Sequence, residues 1–485
     1  MPNAEPLPQS SRFLQARHFP TAFWALLALT AAVRLIAVTR PLLGNFATKN
    51  VVYAMIARNL AEGRASLWYP MLDVLAGGER SWHMLEFPVS AYLTAGLWHV
   101  LGGSLDVWGR ATAVAFSVAS VALIFLLVRR RHGQTAAVGA ALALALAPVS
   151  VIYGQSFMLE ASLVFFTLGT FYALDRRLTS GHFGWLVAAG ICLALLLLTK
   201  IYMLVVLLPL TVTVLRRSRS IMGSLLTLLV IGLATIPAAF WYAHALRTAV
   251  PDGPFSERVF YSVRDSAEVH APPHPRLGSA DFYRQVLDDL TGVVLTPVGF
   301  MLALAGFSDR RWRQYVAWLP AMLILVLALP LKFYEMNYYW MAVLPPLCIL
   351  VGLGWQAIQR RLQPGRTATA VLLVAAVVLS FRYACKPAFV TPEEDRGVVA
   401  AARALRELTD ANEPVVTMHG TAPDLLYYCD RRGWVVAADA RDLDSLLADY
   451  RRRGARYVVV VGKGPPLPEP VGGGENFRIH RLPGP

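Results

Sequence analysis

Residues 45–60 read NFATKNVVYAMIARNL, and residues 82–88 read WHMLEFP. Both runs lie in a segment, residues 40–110, that follows the first apolar span. The segment is too polar to cross a bilayer and too aromatic to be a plain loop, whereas most other residues before 385 form apolar runs with short connections. We therefore predict that it lies at one water interface of a membrane protein and has a task there.

The composition also indicates a membrane protein. The chain of 485 residues is 56% hydrophobic and 16% charged, whereas a soluble domain carries about 25% charged residues. Its net charge of +14 comes from short basic clusters between apolar runs, which is the positive-inside pattern. This distribution argues against nucleic-acid binding.

The basic clusters decide the orientation of the apolar runs between residues 22 and 383. The run 88–103 is ambiguous, because it contains aromatic residues and ends at two glycines. If it is an interfacial helix rather than a span, every strong arginine cluster falls on one side, including Arg129–Arg131 and Arg216–Arg217. We predict about eleven spans with the N-terminus inside, because cytoplasmic loops carry the excess of basic residues.

These patterns predict a polytopic α-helical membrane protein with a small α/β domain at its C-terminus. The α/β domain is predicted because β-branched runs at 415–417 and 457–461 alternate with segments of helical periodicity. The regions are a disordered cytoplasmic tail (1–20), a transmembrane domain (21–384) with an external loop bearing interfacial helices (40–108), and an external domain (385–485).

Three charged residues of the predicted external face have both functional and structural interpretations. Glu86 is either a general base, whose pKa a low-dielectric surface raises, or a solvated carboxylate. Glu160, at the start of a span, either has a catalytic task or is favoured there by the helix dipole. Lys200, between two apolar runs, either binds a lipid-linked phosphate or snorkels to the interface.

Further basic and aromatic residues accompany them on this face. Lys49 and Arg58 are additional cations, although the spacing also allows Arg58 to pair with Glu62 one helical turn on. Lys332 begins the run KFYEMNYYW, which fits either an aromatic belt or a surface that stacks on sugars and isoprenoid tails. Motifs support neither a metal nor a nucleotide site, because the chain has no paired-Asp motif, His/Cys metal spacing or phosphate-binding glycine loop.

The order of these landmarks resembles the GT-C membrane glycosyltransferases, especially the bacterial branch near protein O-mannosyltransferases and lipid A aminoarabinose transferases. The resemblance covers nearly the whole chain. The matching pattern consists of YAMIARNL (53–60), EFP (86–88), MLE (158–160), Thr199-Lys200 and Asn337-Tyr338-Tyr339.

The resemblance implies a multi-pass enzyme of the bacterial inner membrane, with its C-terminal domain on the external, periplasmic side. Such an enzyme takes a sugar from a polyprenyl-phosphate donor and transfers it to a glycan, lipid or protein acceptor. The implied reaction is a single inverting displacement without a cofactor. The predicted residues are Glu86 and Glu160 for catalysis, Lys49, Arg58, Lys200 and Lys332 for the donor phosphate, and Asn50, Tyr53, His83, Tyr338 and Tyr339 for the sugar or lipid.

One departure from the family pattern leaves alternatives open. The family usually has an acidic residue just before the Tyr-Ala pair, where this chain has Lys49-Asn50, and Glu86 stands where the aminoarabinose branch has lysine. Either Glu86 or Glu160 acts as the base, or the protein is a non-catalytic glycolipid-binding or scaffold protein of the envelope. A transporter fits less well, because the polar groups gather at one face without an internal repeat.

Overall fold

The computed structural model describes most of the chain beyond the N-terminal tail. The predicted disordered tail, residues 1–20, lies outside the described residues except for its last position. The described residues are 20–44, 46–76, 79–218, 220–248, 275–361, 363, 365–420, 422–437, 439–440 and 442–482.

The described chain up to residue 389 is almost entirely helical. Helices suit long apolar segments because they satisfy their backbone hydrogen bonds internally. The α-helices are α1 (Thr21–Leu35), α2 (Ala47–Ala61), α3 (Val89–Leu101), α4 (Leu105–His132), α5 (Gln134–Leu146), α6 (Pro148–Tyr153), α7 (Glu160–Ser180), α8 (Phe183–Thr199), α9 (Leu207–Arg217), α10 (Ile221–Leu233), α11 (Ile236–Thr248), α12 (Ala280–Asp289), α13 (Thr296–Gly306), α14 (Trp318–Ala328), α15 (Pro330–Glu335), α16 (Leu344–Arg361) and α17 (Arg366–Phe389). Short 3-10 turns cover Ile201–Val206, Pro275–Gly278, Arg310–Tyr315 and Asn337–Ala342, and a π-helical turn covers Leu290–Val294.

Three described helical segments are long and apolar enough to cross a membrane, namely Leu105–His132, Ile221–Thr248 and Thr367–Ala384. The pair Ala280–Val294 and Thr296–Gly306, bent by 104°, would make a fourth. Further apolar helices, among them α1, α5, α8 and α14, are shorter. The number of about eleven spans therefore stays a prediction.

The ambiguous run 88–103 forms α3, whose 13 residues rise about 20 Å. That length is less than the hydrocarbon thickness of about 30 Å. One face of α3 is bonded to neighbouring helices, because Ser90 donates to Ser162 at 3.2 Å and Thr94 donates to Thr112 at 3.1 Å. Val100 on the other side is 78% exposed. The length and the two faces support an interfacial helix, and its depth in the membrane stays a prediction.

Residues 398–481 alternate helices and strands, as their sequence pattern predicts. The elements are α18 (Val398–Leu408), β3 (Val415–Met418), α19 (Asp424–Cys429), β4 (Gly433–Val435), α20 (Leu443–Arg452), β5 (Tyr457–Val461), β6 (Pro470–Gly474) and β7 (Phe477–Arg481). The strand β3 pairs in parallel with β4 and β5, and β7 pairs antiparallel with β5 and β6. In sequence order the loop hairpin described next precedes these strands, and its two strands are β1 and β2.

The loop of residues 40–108 joins this C-terminal sheet, a pairing that no sequence pattern predicted. The loop forms a hairpin of β1 (Met71–Ala76) and β2 (Glu79–Trp82). Val74 of β1 pairs in parallel with Gly433 of β4, which completes a seven-stranded sheet of order β2-β1-β4-β3-β5-β7-β6. Gly433 is required because a Cβ there would lie 1.8 Å from the Val415 carbonyl oxygen.

Arg58 of α2 ties the hairpin to the C-terminal domain. Its guanidinium lies 2.8 Å from Asp73 Oδ2 and 3.1 Å from Asp430 Oδ1. It also donates to the Tyr427 carbonyl oxygen at 2.8 Å. Arg58 therefore pairs across the sheet interface rather than with Glu62. Because Arg58 and Asp73 are both buried, their ion pair compensates charge inside the protein.

Replacing Arg58 with methionine should loosen this junction. The change removes the guanidinium from the buried pair with Asp73, and breaking a buried ion pair on one side costs about 3–5 kcal/mol. Hydrogen exchange should accelerate in β1 and β4, and the melting temperature should fall. Arg284→Met is the matched control, because the Arg284–Asp281 pair is exposed and such pairs contribute little. Equal protection of β1 and β4 in both variants would contradict the assigned role of Arg58.

Candidate active site

Six of the predicted site residues converge in one group, which we call the Glu86 cluster. Different segments of the chain supply them, and Glu86 lies at the centre. The members are Lys49 and Tyr53 on α2, His83 and Glu86 between β2 and α3, Glu160 at the first position of α7, and Lys200 directly after α8. The cluster is thus built from the loop of residues 40–108 and the ends of two apolar helices.

Both carboxylate oxygens of Glu86 face donors or cations. Lys200 Nζ contacts Oε1, and Lys49 Nζ lies 3.6 Å from the same oxygen. The Tyr53 hydroxyl donates to Oε2 at 3.2 Å, and His83 Nε2 lies 3.5 Å from Oε2. Glu86 is 5% exposed, so it is not the solvated carboxylate that was one interpretation of its sequence position.

Lys200 joins the two acidic residues of the cluster. Its Nζ contacts Glu86 and lies 3.5 Å from Glu160 Oε1. Glu160 is 1% exposed and Lys200 is 2% exposed, so the snorkelling interpretation of Lys200 is wrong. Buried charges persist in a protein when they are paired, and one ammonium group here compensates two carboxylates.

The backbone around Lys200 explains how the cluster forms. The helix α8 ends at Thr199, and Lys200 takes an extended conformation with φ −151° and ψ 111°. The Phe87 backbone N–H donates to the Leu198 carbonyl oxygen at 3.1 Å. That carbonyl lies in the last turn of α8, where helix carbonyls lack an intrahelical partner. The bond therefore holds Glu86, the neighbour of Phe87, against the end of α8 beside Lys200.

Tyr338 and Tyr339 form an aromatic wall beside the lysines. The Tyr338 ring centroid lies 4.8 Å from Lys49 Nζ and 5.8 Å from Lys200 Nζ, and it stacks on Tyr339 at 4.9 Å. Lys332, on α15, is near enough to interact with both lysines. Burial lowers the pKa of Lys332, and the charges of Lys49 and Lys200 add to this effect. The three lysines therefore face a common region.

Two predicted site residues make other contacts. The Arg58 guanidinium pairs with Asp73 and Asp430 at the junction with the C-terminal domain. Asn50 is buried, and its Nδ2 donates to the Phe46 carbonyl oxygen at 3.0 Å. The structure does not bring Arg58 into the Glu86 cluster, and the assignment of Asn50 to the sugar or lipid stays a prediction.

Three aromatic residues next to the wall escaped prediction from the sequence. The Phe46 ring lies 5.0 Å from Tyr338 and 6.0 Å from Tyr153. The Tyr202 ring lies 5.2 Å from Tyr339. Tyr202 follows Lys200 by two residues, so its place in the sequence could have indicated that it lies near the cluster. Tyr153 lies in an apolar run without a local motif.

The pKa of Glu86 is lowered, contrary to the expectation of a raised value. Burial raises it, but the charges of Lys200 and Lys49 and the hydrogen bond with His83 together lower it well below the usual range. Glu86 is therefore a carboxylate at neutral pH. It can accept a proton, and its basicity depends on how closely the lysines stay paired with it.

A second polar group, outside the Glu86 cluster, was not visible in sequence spacing. One ligand atom each of Asp395, His419 and Asp424 lies within 4.8 Å of the others. His419 Nδ1 is 2.8 Å from Asp424 Oδ2, and the Gly44 backbone N–H donates to Asp395 Oδ2 at 2.6 Å. Burial lowers the pKa of His419, but Asp424 and Asp395 raise it above its usual value. These contacts make the group an ion-pair junction between the C-terminal domain and the entry to α2.

The fold of the described chain resembles the GT-C fold of solved membrane proteins. The structure aligns with that of ArnT from Cupriavidus metallidurans bound to undecaprenyl phosphate, with a TM-score of 0.65 and 15% identity, over 96% of this chain and 100% of the other. It also aligns with the oligosaccharyltransferase AglB from Archaeoglobus fulgidus in complex with an inhibitory peptide and a dolichol-phosphate, with a TM-score of 0.52 and 13% identity, over 90% of this chain and 69% of the other. At these identities the likeness establishes the fold.

A family model supports the same class from the sequence. The model described as dolichyl-phosphate-mannose-protein mannosyltransferase matches residues 86–242, a range that begins at Glu86 and contains Glu160 and Lys200. No curated protein matches the chain at a significant level. The predicted resemblance to GT-C membrane glycosyltransferases is thus confirmed by the family model and by the fold.

Replacing Lys200 with methionine should destabilise the protein most at neutral pH. Glu86 and Glu160 lose their shared cation, and removing one partner of a buried pair costs about 3–5 kcal/mol. Because unpaired buried carboxylates take up protons, the loss should shrink as the pH falls. Melting temperatures measured between about pH 5 and pH 8, where a buried carboxyl group with a raised pKa titrates, would show this trend.

Glu86 should give the wild type no such trend between about pH 5 and pH 8. Because the folded pKa of Glu86 is lowered, its contribution to stability is present above the unfolded value of about 4.3 and is lost as the pH falls through the folded pKa. Lys49→Met is a suitable control, because Lys200 still pairs with both carboxylates. A deficit of Lys200→Met that grows at low pH would contradict the assigned ion pairs.

Proposed function

We propose that the protein is an inverting glycosyltransferase that moves a sugar from a polyprenyl-phosphate donor to an acceptor at the external membrane face. One observation carries the proposal: Lys200 lies between Glu86 and Glu160 in one buried cluster. A carboxylate that accepts a proton and cations that stabilise a leaving phosphate are the two requirements of such a transfer. The family match that covers all three residues supports the same reaction class.

The lysines and the aromatic wall support a lipid-phosphate donor. Lys49, Lys200 and Lys332 offer three ammonium groups, and charge-assisted hydrogen bonds make lysine a strong phosphate ligand. Tyr338 and Tyr339 present aromatic surface next to them. The similar ArnT structure holds undecaprenyl phosphate, and the AglB structure holds a dolichol-phosphate. Because the lysines supply the positive charge, the proposed reaction uses neither a metal nor a cofactor.

The proposed step is one displacement at the anomeric carbon. The acceptor oxygen forms a bond to that carbon while the bond from the carbon to the phosphate oxygen breaks, so the configuration inverts. The electron pair of the broken bond stays on the phosphate, where the lysines stabilise it, and the hydroxyl proton passes to a carboxylate. A bound phosphate would draw Lys49 and Lys200 away from Glu86, which would raise the pKa of Glu86 toward that of an effective base.

We assign the base to Glu86 and a positioning role to Glu160. The Lys49 side chain, which is paired with Glu86, is 21% exposed, so the open side of the cluster lies next to Glu86. Glu160 is deeper and pairs with Lys200, so it orients the lysine that Glu86 and the donor share. This division predicts that the two carboxylates affect different kinetic constants.

The orientation proposed for the membrane follows from the two ends of α7. Glu160 begins this helix, whereas Asp175, Arg176 and Arg177 lie near its other end. Because arginine clusters favour the cytoplasmic side, the Glu86 cluster would lie on the external side. For a bacterial inner membrane this places the proposed transfer, and the C-terminal domain that shares a sheet with the loop, in the periplasm.

Membranes that contain the protein should transfer label from a radiolabelled polyprenyl-phosphate sugar to an endogenous acceptor. Glu86→Gln should lower kcat about 100-fold or more, as expected for loss of a general base. Glu160→Gln should mainly raise the KM for the donor. Glu62→Gln is the matched control, because Glu62 is an exposed carboxylate of the same loop, and it should retain full activity.

The same assay separates the alternative, a non-catalytic glycolipid-binding or scaffold protein. This alternative is favoured by Lys49, which stands where the resembling family has an acid and which lies 3.6 Å from Glu86. Binding of the lipid phosphate without any transfer would support it and overturn the enzyme. Full activity of both Glu86→Gln and Glu160→Gln would keep the enzyme and reject the assigned base.

A further inference from the structure

A cavity of about 400 Å³ lies at the end of the helix bundle opposite the Glu86 cluster. We call it the arginine pocket, and the ends of α4, α7 and α9 and the start of α14 line it. Asp175 of α7 lies in its wall, fifteen positions after Glu160 of the same helix, which corresponds to about 22 Å along the helix axis. The pocket is therefore separate from the proposed active site.

Asp175 is the acidic residue of this pocket and pairs with three arginines. It is 2% exposed. Arg130 Nε donates to Oδ2 at 3.0 Å, and Arg217 Nη1 donates to Oδ1 at 3.1 Å. Arg131 also contacts Oδ1. Three guanidinium groups thus compensate one carboxylate, and two positive charges remain in excess at this point.

Two more arginines increase this excess. Arg216 and Arg313 also line the pocket, and within the described part of the chain neither has a carboxylate within ion-pair distance. Positive-inside arginines need only lie on the correct side of the membrane, whereas these converge on one cavity. The cavity is lined by four arginines, Arg131, Arg216, Arg217 and Arg313, and by one carboxylate, so it is complementary to an added anion.

The other residues that line the pocket are mostly apolar or aromatic, with Thr213 and Gln314 as polar members. Leu127, Val212, Phe171 and Trp318 line it, and the rings of Phe171 and Trp318 pack at 4.7 Å. A free inorganic anion would use the arginines and leave these walls without a partner. A phospholipid uses both, because its phosphate meets the guanidinium groups while its glycerol and first methylenes contact apolar side chains.

We propose that the arginine pocket binds the phosphodiester headgroup of an anionic phospholipid. Arg216 and Arg313 are the principal ligands, because they are free of the Asp175 network, and Arg131 and Arg217 form the floor. Basic pockets between membrane helices are the usual geometry for binding such headgroups. The binding does not depend on the proposed transfer reaction, because the two sites lie at opposite ends of α7.

Native mass spectrometry of the full-length protein in a non-ionic detergent tests the proposal. The protein is titrated with dioleoylphosphatidylglycerol and, separately, with dioleoylphosphatidylcholine. The anionic lipid should bind more tightly to the wild type. In the double variant Arg216→Gln/Arg313→Gln its affinity should fall by about fivefold for each arginine removed. Both side chains are exposed, so the variant should keep the wild-type melting temperature.

Arg360→Gln/Arg361→Gln is the matched control. It removes the same charge from the end of α16, outside the pocket, and should bind the lipid as the wild type does. An equal loss in both double variants, or equal binding of the two lipids, would overturn the proposal. Displacement of the lipid by inorganic phosphate from the wild type would also overturn it, because the pocket would then be a site for a free anion.

Discussion

A lysine held between two buried carboxylates is the interaction on which the candidate active site of this protein depends. Lys200 reaches Glu86 from the end of α8 and Glu160 at the start of α7, so one ammonium group connects the loop of residues 40–108 to the helix bundle. A buried charge is costly without a partner and is stabilised when an oppositely charged group compensates it. Charge compensation at Lys200 therefore helps to hold the loop against the helix bundle.

The exchange of charge relative to the resembling family has a simple physical meaning in this structure. Lys49 stands at the family's acidic position, and Glu86 stands where one branch has lysine. The two side chains lie 3.6 Å apart, so exchanging their signs preserves an ion pair between α2 and the segment before α3. Coulomb attraction does not depend on which partner is positive. This chain therefore keeps an ion pair at this place, with the carboxylate on the segment before α3 rather than on α2.

Local patterns predicted the parts of the molecule that local physics determines. The β-branched run 457–461 forms β5 over those residues, and the short apolar run 88–103 forms α3. The convergence of Glu86, Glu160 and Lys200 followed from charge placement at one face. The ion pairs of Arg58 were not predicted, because helical spacing indicates only neighbours such as Glu62. Its partners Asp73 and Asp430 are brought together by the tertiary fold.

The sheet shared by the loop hairpin and the C-terminal domain has a consequence for biosynthesis. Val74 pairs with Gly433, a residue that the ribosome adds about 360 positions later. The hairpin therefore lacks this strand partner while the intervening helices are synthesised. Chains fold as their segments emerge during translation. The loop hairpin therefore completes its strand pairing only after residue 433 has been synthesised, which ties the assembly of the proposed active site to the arrival of the C-terminal domain.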